Sequence, residues 1–213
     1  GGKAIAVAGD VTKPEDCERL AAAAVEKFGG IDVVINNASA IQLTATEKTE
    51  TKRFDLMQSI NVRGTFLVVK NCIPYLKKGN NPHILTLSPP INLDPKWLGG
   101  HIAYTITKYN MSMLALGWAA EFKADGIASN ALWPRTTIDT AAVRNLLGGE
   151  ALAKMSRTTD ILADSVFYIL KKTAAQCSGN TFIDEQVLAA EGITDLDKYA
   201  VVPGGQLYPD LFI

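Results

Sequence analysis

Five short apolar runs, separated by helix-length stretches, constrain the fold of this chain more than any other feature. They are residues 4–8 (Ala-Ile-Ala-Val-Ala), 31–35, 83–87, 127–133 and 181–183. Short apolar runs bounded by turn residues suit strands buried on both faces. Strands alternating with helices imply a parallel α/β sheet covered on both sides. Ligands of such sheets collect beyond the carboxyl ends of the strands. Asp10, Asn36-Asn37, Ser88, the start of the helix carrying Tyr104, and Pro134 all fall there.

The intervening stretches read as helices. Asp10 or Thr12, followed by Pro14-Glu15-Asp16, opens a helix that runs to Phe28 and stops at Gly29-Gly30. Leu20, Ala24 and Phe28 share one of its faces. Residues 51–76 form a second, long helix, and residues 103–123 a third that ends at Asp125-Gly126. Residues 139–155 look helical but loosely patterned. Residues 160–172 carry a stripe of Ala163, Val166, Phe167 and Leu170, with Asp160 as the expected cap. Residues 1–213 make one domain, and residues 185–213 are a turn-rich extension expected to pack on a sheet edge or a neighbouring subunit.

Bulk properties exclude several classes of function. A net charge of -1 gives no footprint for nucleic acid or an anionic membrane surface. No apolar run is long enough to span a bilayer. Cys17, Cys72 and Cys177 lie far apart, and neither they nor His83 and His101 have metal-ligand spacing, so no metal is expected. Three isolated thiols suit a reducing compartment, and a cytoplasmic location is the expectation. The sequence starts at Gly1, so an organelle-targeting segment lies outside what it can report.

Chemistry is concentrated in Tyr104-Thr105-Ile106-Thr107-Lys108. Residues four apart on a helix share a face. A phenol of ordinary pKa near 10 is a poor acid or base at neutral pH. A neighbouring ammonium favours the phenolate and lowers that value. The pair thus offers acid/base chemistry without histidine. A packed ring beside a solvated amine is the bland alternative.

Four motifs in order turn this pair into a resemblance. They are Asp10-Val11 after an apolar run, Asn36-Asn37-Ala38-Ser39, Asn61 within Ile60-Asn61-Val62-Arg63-Gly64, and Tyr104-x-x-x-Lys108. Together they resemble the short-chain dehydrogenase/reductase family over nearly the whole chain. The stretches Ile73 to Lys78, Ser88-Pro89-Pro90 and Asn130 to Pro134 are similar to its hydroxysteroid dehydrogenase-like branch. The resemblance implies a Rossmann-like doubly wound parallel sheet. It implies hydride transfer between NADP or NAD and a carbonyl/alcohol pair, with Tyr104 as acid/base. Lys108 would hold the nicotinamide ribose and depress the Tyr104 pKa. Asn61 would hold a water linking Lys108 to solvent; its alternative is an amide bonding backbone in a helix kink. Asp10 and Val11 would contact adenine, and Asn37, Ala38 and Pro134 would line the cofactor site. A homo-oligomer built on the Asn61 and Tyr104 helices is also implied.

Three departures qualify it. The Gly-rich phosphate loop, with the first two strands of the family fold, is missing from the sequence, so an incomplete chain is the expectation. Residues 4–8 would then be set apart from residues 31–35 by a two-strand gap with an exposed apolar edge. Pro89 occupies the register of the family's catalytic serine, and Ser88 lies one residue early, either catalytic or merely bonding backbone. Arg135 replaces a glycine, and either reaches a substrate carboxylate or phosphate or is a solvated charge. Two functions follow: an oxidoreductase acting on a lipid-like or acyl-CoA substrate, or a Rossmann-fold binding or scaffold protein of weak or no turnover.

Overall fold

A computed structural model describes residues 2–213. Four strands make one parallel sheet in the order β1 (Val33–Asn36), β2 (His83–Leu87), β3 (Ala128–Trp133) and β4 (Thr181–Ile183). Side-chain direction alternates along each strand, and the two faces fill separately. Val34 and Ile84 join Val69, Leu76 and Trp118 in one core, beneath α1 (Pro14–Phe28), α3 (Thr65–Leu76) and α5 (Ile102–Glu121). Leu85 and Leu132 join Ile169 and Val187 in another, beneath α7 (Asp160–Lys171) and α8 (Asp184–Ala190). Helices on both faces of a parallel sheet make the expected doubly wound architecture. No described helix is long and apolar enough to cross a membrane.

Residues 4–8 do not form the expected strand. They hold no regular secondary structure and pair with no strand among the described residues, and Ile5 is exposed. A strand without a ladder partner leaves its backbone groups to water, so apolar composition alone does not make one. The outer edge of β1 is likewise unpaired, and Val33 and Ile35 are exposed. The stripe expected on α1 is exposed too: Leu20 and Phe28 face outward while Cys17 and Ala21 are buried against α3.

The long helix of residues 51–76 is interrupted. α2 (Thr51–Met57) passes into a π-helical turn, Gln58–Gly64, before α3 resumes. A π insertion shifts the side chains that follow it. Here it buries Asn61 completely and brings Gly64 against the chain entering α1, where a Cβ would meet Val11 Cγ2 at 2.8 Å. Arg63 donates to the Thr12 carbonyl from the same turn. These contacts fix Asp10-Val11 beside the Asn61 segment.

After β2 a short α4 (Pro95–Leu98) precedes α5, which ends at Glu121 and passes into a 3-10 turn, Lys123–Asp125, closed by Gly126 at φ 70°. The region 139–155 is helical in two pieces, a π turn at Val143–Leu147 and α6 (Gly149–Lys154). Asp160 does not cap α7: Thr159 is the cap, and Asp160 sits in the first turn. The buried face of α7 is Ile161, Ser165 and Ile169, while Phe167 is exposed.

The extension begins in α8, which packs against the edge strand β4. It returns across the carboxyl ends of the strands. Thr137 donates its N–H to the Tyr208 carbonyl at 3.0 Å, Asp210 donates to the Arg135 carbonyl at 3.1 Å, and the Trp133 indole donates to the Leu211 carbonyl at 2.9 Å. Phe212 is buried, with ring centroids of Tyr109, Trp97, Trp133, His101 and Tyr104 within 5.3 to 6.3 Å. Its φ of 73° is a conformation that bulky residues avoid and that persists only where surrounding contacts dictate it. Phe212→Ala is therefore expected to destabilise the fold by about 3–5 kcal/mol in urea unfolding. A loss below about 1 kcal/mol would show that the segment is only loosely seated.

Candidate active site

A cavity of about 830 Å³ opens at the carboxyl end of the sheet. Tyr104 and Lys108 lie on its wall, as α5 starts just below the cavity and presents positions one turn apart. Asn37, at the end of β1, and Pro134, at the end of β3, line it as well. Ile41, Leu147, Leu152, Met155 and Leu162 give it a mainly aliphatic surface. Tyr208 to Leu211 of the returning segment close one side.

Lys108 is almost fully buried, at 3% exposure. Its ammonium donates to the Leu87 carbonyl at 2.7 Å and lies 4.9 Å from the Trp133 ring centroid. Burial drives its pKa down to about 7, and the negative charge of Asp210 opposes that fall. Tyr104 behaves opposite to expectation. Its hydroxyl is pushed well above the ordinary phenol range by burial, with Asp210 adding to the rise. In this pocket desolvation exceeds any help from the neighbouring amine.

The remaining candidates separate into those that shape the site and those outside it. Asn61 has every amide position engaged. Its Oδ1 accepts from Ala40 N–H at 2.7 Å and Ser39 Oγ at 3.2 Å; its Nδ2 donates to the Ala40 carbonyl and Thr107 Oγ1, both at 2.9 Å. This side-chain amide stitches the π turn to residues 39–40 and to α5. Ala38 is part of that stitched loop but does not line the cavity. Ser88 is fully buried, and its hydroxyl has no hydrogen-bond partner. It does not line the cavity, because the strand pleat turns it inward. Pro89 is buried beside it, its carbonyl accepting from Ser112 Oγ at 2.6 Å. Arg135 has an exposed side chain outside the cavity, and its backbone does the structural work. Asp10 is exposed, with its carboxylate accepting from Thr12, and neither it nor Val11 reaches the cavity.

With the geometry in hand, relatives can be compared. Residues 1–182 match a family model described as enoyl-(acyl carrier protein) reductase, a short-chain dehydrogenase model. The chain belongs to the short-chain dehydrogenase/reductase family. Hydroxysteroid dehydrogenase-like protein 2 of Bos taurus is 53% identical over 213 residues, which is all of this chain and 50% of that protein. A crystal structure from Xanthomonas campestris superposes with a TM-score of 0.91 at 48% identity, covering 96% of this chain and 74% of its own. A short-chain dehydrogenase from Mycobacterium thermoresistibile gives 0.89 at 50% identity, covering 96% and 72%. The chain thus spans about half the length of the curated relatives it matches. Members of this family are NAD(P)-dependent oxidoreductases.

Two residues important to the site escaped the sequence reading. Asp210 is one. Asp184 is the other: fully buried, it accepts from the Arg135 N–H at 2.9 Å and the Glu185 N–H at 2.7 Å, and so holds the turn after Pro134. An acid directly after the apolar run 181–183 was the available signal. Burial pushes its carboxyl up to about 6, against those two backbone bonds. A carboxyl raised in the native state keeps an extra proton between roughly pH 4 and 6, so folding loses stability as pH rises through that window. Asp184→Asn keeps the acceptor without the charge. It is expected to match the parent in urea unfolding near pH 4 and to exceed it by about 1–3 kcal/mol near pH 8. Equal stability at both pH values would contradict the burial assignment.

Proposed function

We propose that this chain carries the catalytic wall of an oxidoreductase that moves a hydride between NADP or NAD and a carbonyl/alcohol of a lipid-like or acyl-CoA substrate. The observation that carries this reading is the placement of Tyr104 and Lys108 together on the wall of an aliphatic cavity at the strand ends.

The residues present fit the nicotinamide end of the cofactor. An ammonium has three donors, and Lys108 engages the Leu87 carbonyl and, weakly, the Met111 sulfur, which leaves one for a ribose hydroxyl. Asn37 and Pro134 frame the same corner. The cofactor, when bound, gives or takes the hydride and, oxidised, brings a positive charge. Tyr104 donates its phenolic proton to the carbonyl oxygen in reduction and accepts it back in oxidation. Since burial and the Asp210 charge raise the Tyr104 pKa, the Lys108 ammonium and the positive charge of oxidised cofactor would have to bring it into a working range. Ile41, Leu147 and Leu152 supply a wall for an acyl or similarly apolar chain and exclude water. Among the described residues, Lys108 is the only cationic one lining the cavity, so any phosphates of the substrate would lie outside it, where Arg135 is exposed.

A second reading, a binding or scaffold protein with little turnover, is favoured by one observation: the serine register holds Pro89, and Ser88 is buried outside the cavity. Assembly of identical subunits is proposed on the Asn61 and Tyr104 helices, supported by the exposed side chains of Phe66 on α3 and Met113 on α5. Phe66→Glu with Met113→Glu should then lower the mass seen by light scattering, and an unchanged mass would exclude that face.

NAD(P)H oxidation with a panel of apolar carbonyl compounds tests the catalytic reading. Tyr104→Phe should lower kcat/KM by at least about 100-fold, with little change from Ser88→Ala. Full activity in Tyr104→Phe would remove Tyr104 from the chemistry. Cofactor binding without turnover on any carbonyl would favour the scaffold.

A further inference from the structure

Among the described residues lining the cavity, Lys108 and Asp210 are the only two with charged side chains, and Asp210 comes from far along the chain. Pro209 bridges Thr136 in antiparallel fashion, the Asp210 N–H is tied to the Arg135 carbonyl at 3.1 Å, and its Oδ1 accepts from the Leu211 N–H at 2.6 Å. Two residues on, Phe212 is locked among five rings. The Asp210 carboxylate is thus delivered to the cavity by a fixed backbone rather than by a flexible side chain on the surface. It lines the same cavity as Tyr104 and Lys108.

We propose that Asp210 is the counter-ion of Lys108, a positioning residue that acts on Tyr104 through that amine. The proposal rests on the reading of Tyr104 and Lys108 as the reactive pair and adds a third member from the returning segment. A buried ammonium with no opposite charge nearby gives up its proton, and a neutral amine neither favours a phenolate nor donates three hydrogen bonds. Asp210 shares the cavity wall with Lys108 without a direct ion pair among the described residues, and its charge opposes the effect of burial on the amine. The groups in contact with the ammonium are neutral: the Leu87 carbonyl, the Met111 sulfur and the Trp133 ring. On its own helix Lys108 faces Tyr104, and from α8 the carboxylate of Asp184 acts on Asp210 rather than on the amine. The Asp210 carboxyl is itself raised to about 6 by burial and pulled back by the Leu211 N–H and by Lys108. The coupling is therefore mutual. Asp210 also raises Tyr104 directly, so the carboxylate serves the pair by keeping the amine charged and opposes it by its own field. The pair works over the pH range in which Lys108 retains its proton, and Asp210 sets the upper end of that range.

The test follows the Lys108 Cε resonance against pH in protein labelled at lysine, assigned by its loss in Lys108→Arg. In Asp210→Asn the Lys108 midpoint should fall by about one unit or more, a tenfold loss of proton affinity, and Asp210→Glu should restore most of it. An unchanged midpoint in folded Asp210→Asn overturns the proposal. Linkage supplies an independent arm that does not need the Asp210 variant to fold. In Lys108→Met the Asp210 Cγ midpoint should rise by a similar factor, and a midpoint equal to that of the parent likewise overturns it. These titrations need neither cofactor nor substrate. If they move while Tyr104→Phe keeps full turnover, the counter-ion stands and the catalytic reading fails; if they stay fixed while Tyr104→Phe is inactive, the reverse holds.

Discussion

One buried ammonium holds this site together. Lys108 lies nearly out of water, fastened to the carbonyl that ends β2 and set over the Trp133 ring that ends β3. A charge in that position is costly: each unit by which burial lowers its pKa corresponds to about 1.4 kcal/mol of preference for the neutral form. A hydrogen bond from an ammonium to one carbonyl returns about 1.5–3 kcal/mol, which does not by itself offset a shift to about 7. Charge from Asp210 already opposes that fall, and the value of about 7 is what remains after it. The helix, the strand ends and the returning segment are then parts of one electrostatic unit.

That unit explains the backbone around it. The π turn in the second long helix puts the Asn61 amide where it can bond residues 39–40 and Thr107 together, so the loop after β1 and the reactive helix keep a fixed distance. The Asp184 carboxylate does the same for the turn after Pro134. The aromatic cluster around Phe212 ties the returning segment to the base of α5. Each device spends local stability, as a π turn, a buried carboxyl raised toward neutrality or a left-handed phenylalanine, on fixing the shape of one cavity.

Much of this was legible in the sequence, for a physical reason. Apolar runs such as 83–87 and 127–133 are buried on both faces, which leaves few alternatives to parallel strands, and β2 and β3 fell where expected. Tyr104 and Lys108 shared a face because helix periodicity demands it. Residues 4–8 misled for the opposite reason: apolarity proposes a strand, but only a partner makes one. The stripe on α7 misled because Phe167 and Ala163 are as apolar as the true inner face, Ile161 and Ile169. Ser88 was undecidable because one residue of register reverses a side chain. The Tyr104 pKa came out reversed because spacing reports proximity and says nothing of burial. Asp210 left no local signal; its partner is about a hundred residues away, and only the folded chain brings them together.

The account stands on Tyr104 being held out of its ordinary range by burial and released by charge. Absorbance at the tyrosinate band, followed against pH as the difference between the protein and its Tyr104→Phe variant, measures this directly. The expected midpoint lies well above the ordinary value near 10 for the protein alone and falls below it when NADP or NAD in oxidised form is bound. A Tyr104 that titrates near 10 with and without the oxidised cofactor would contradict it.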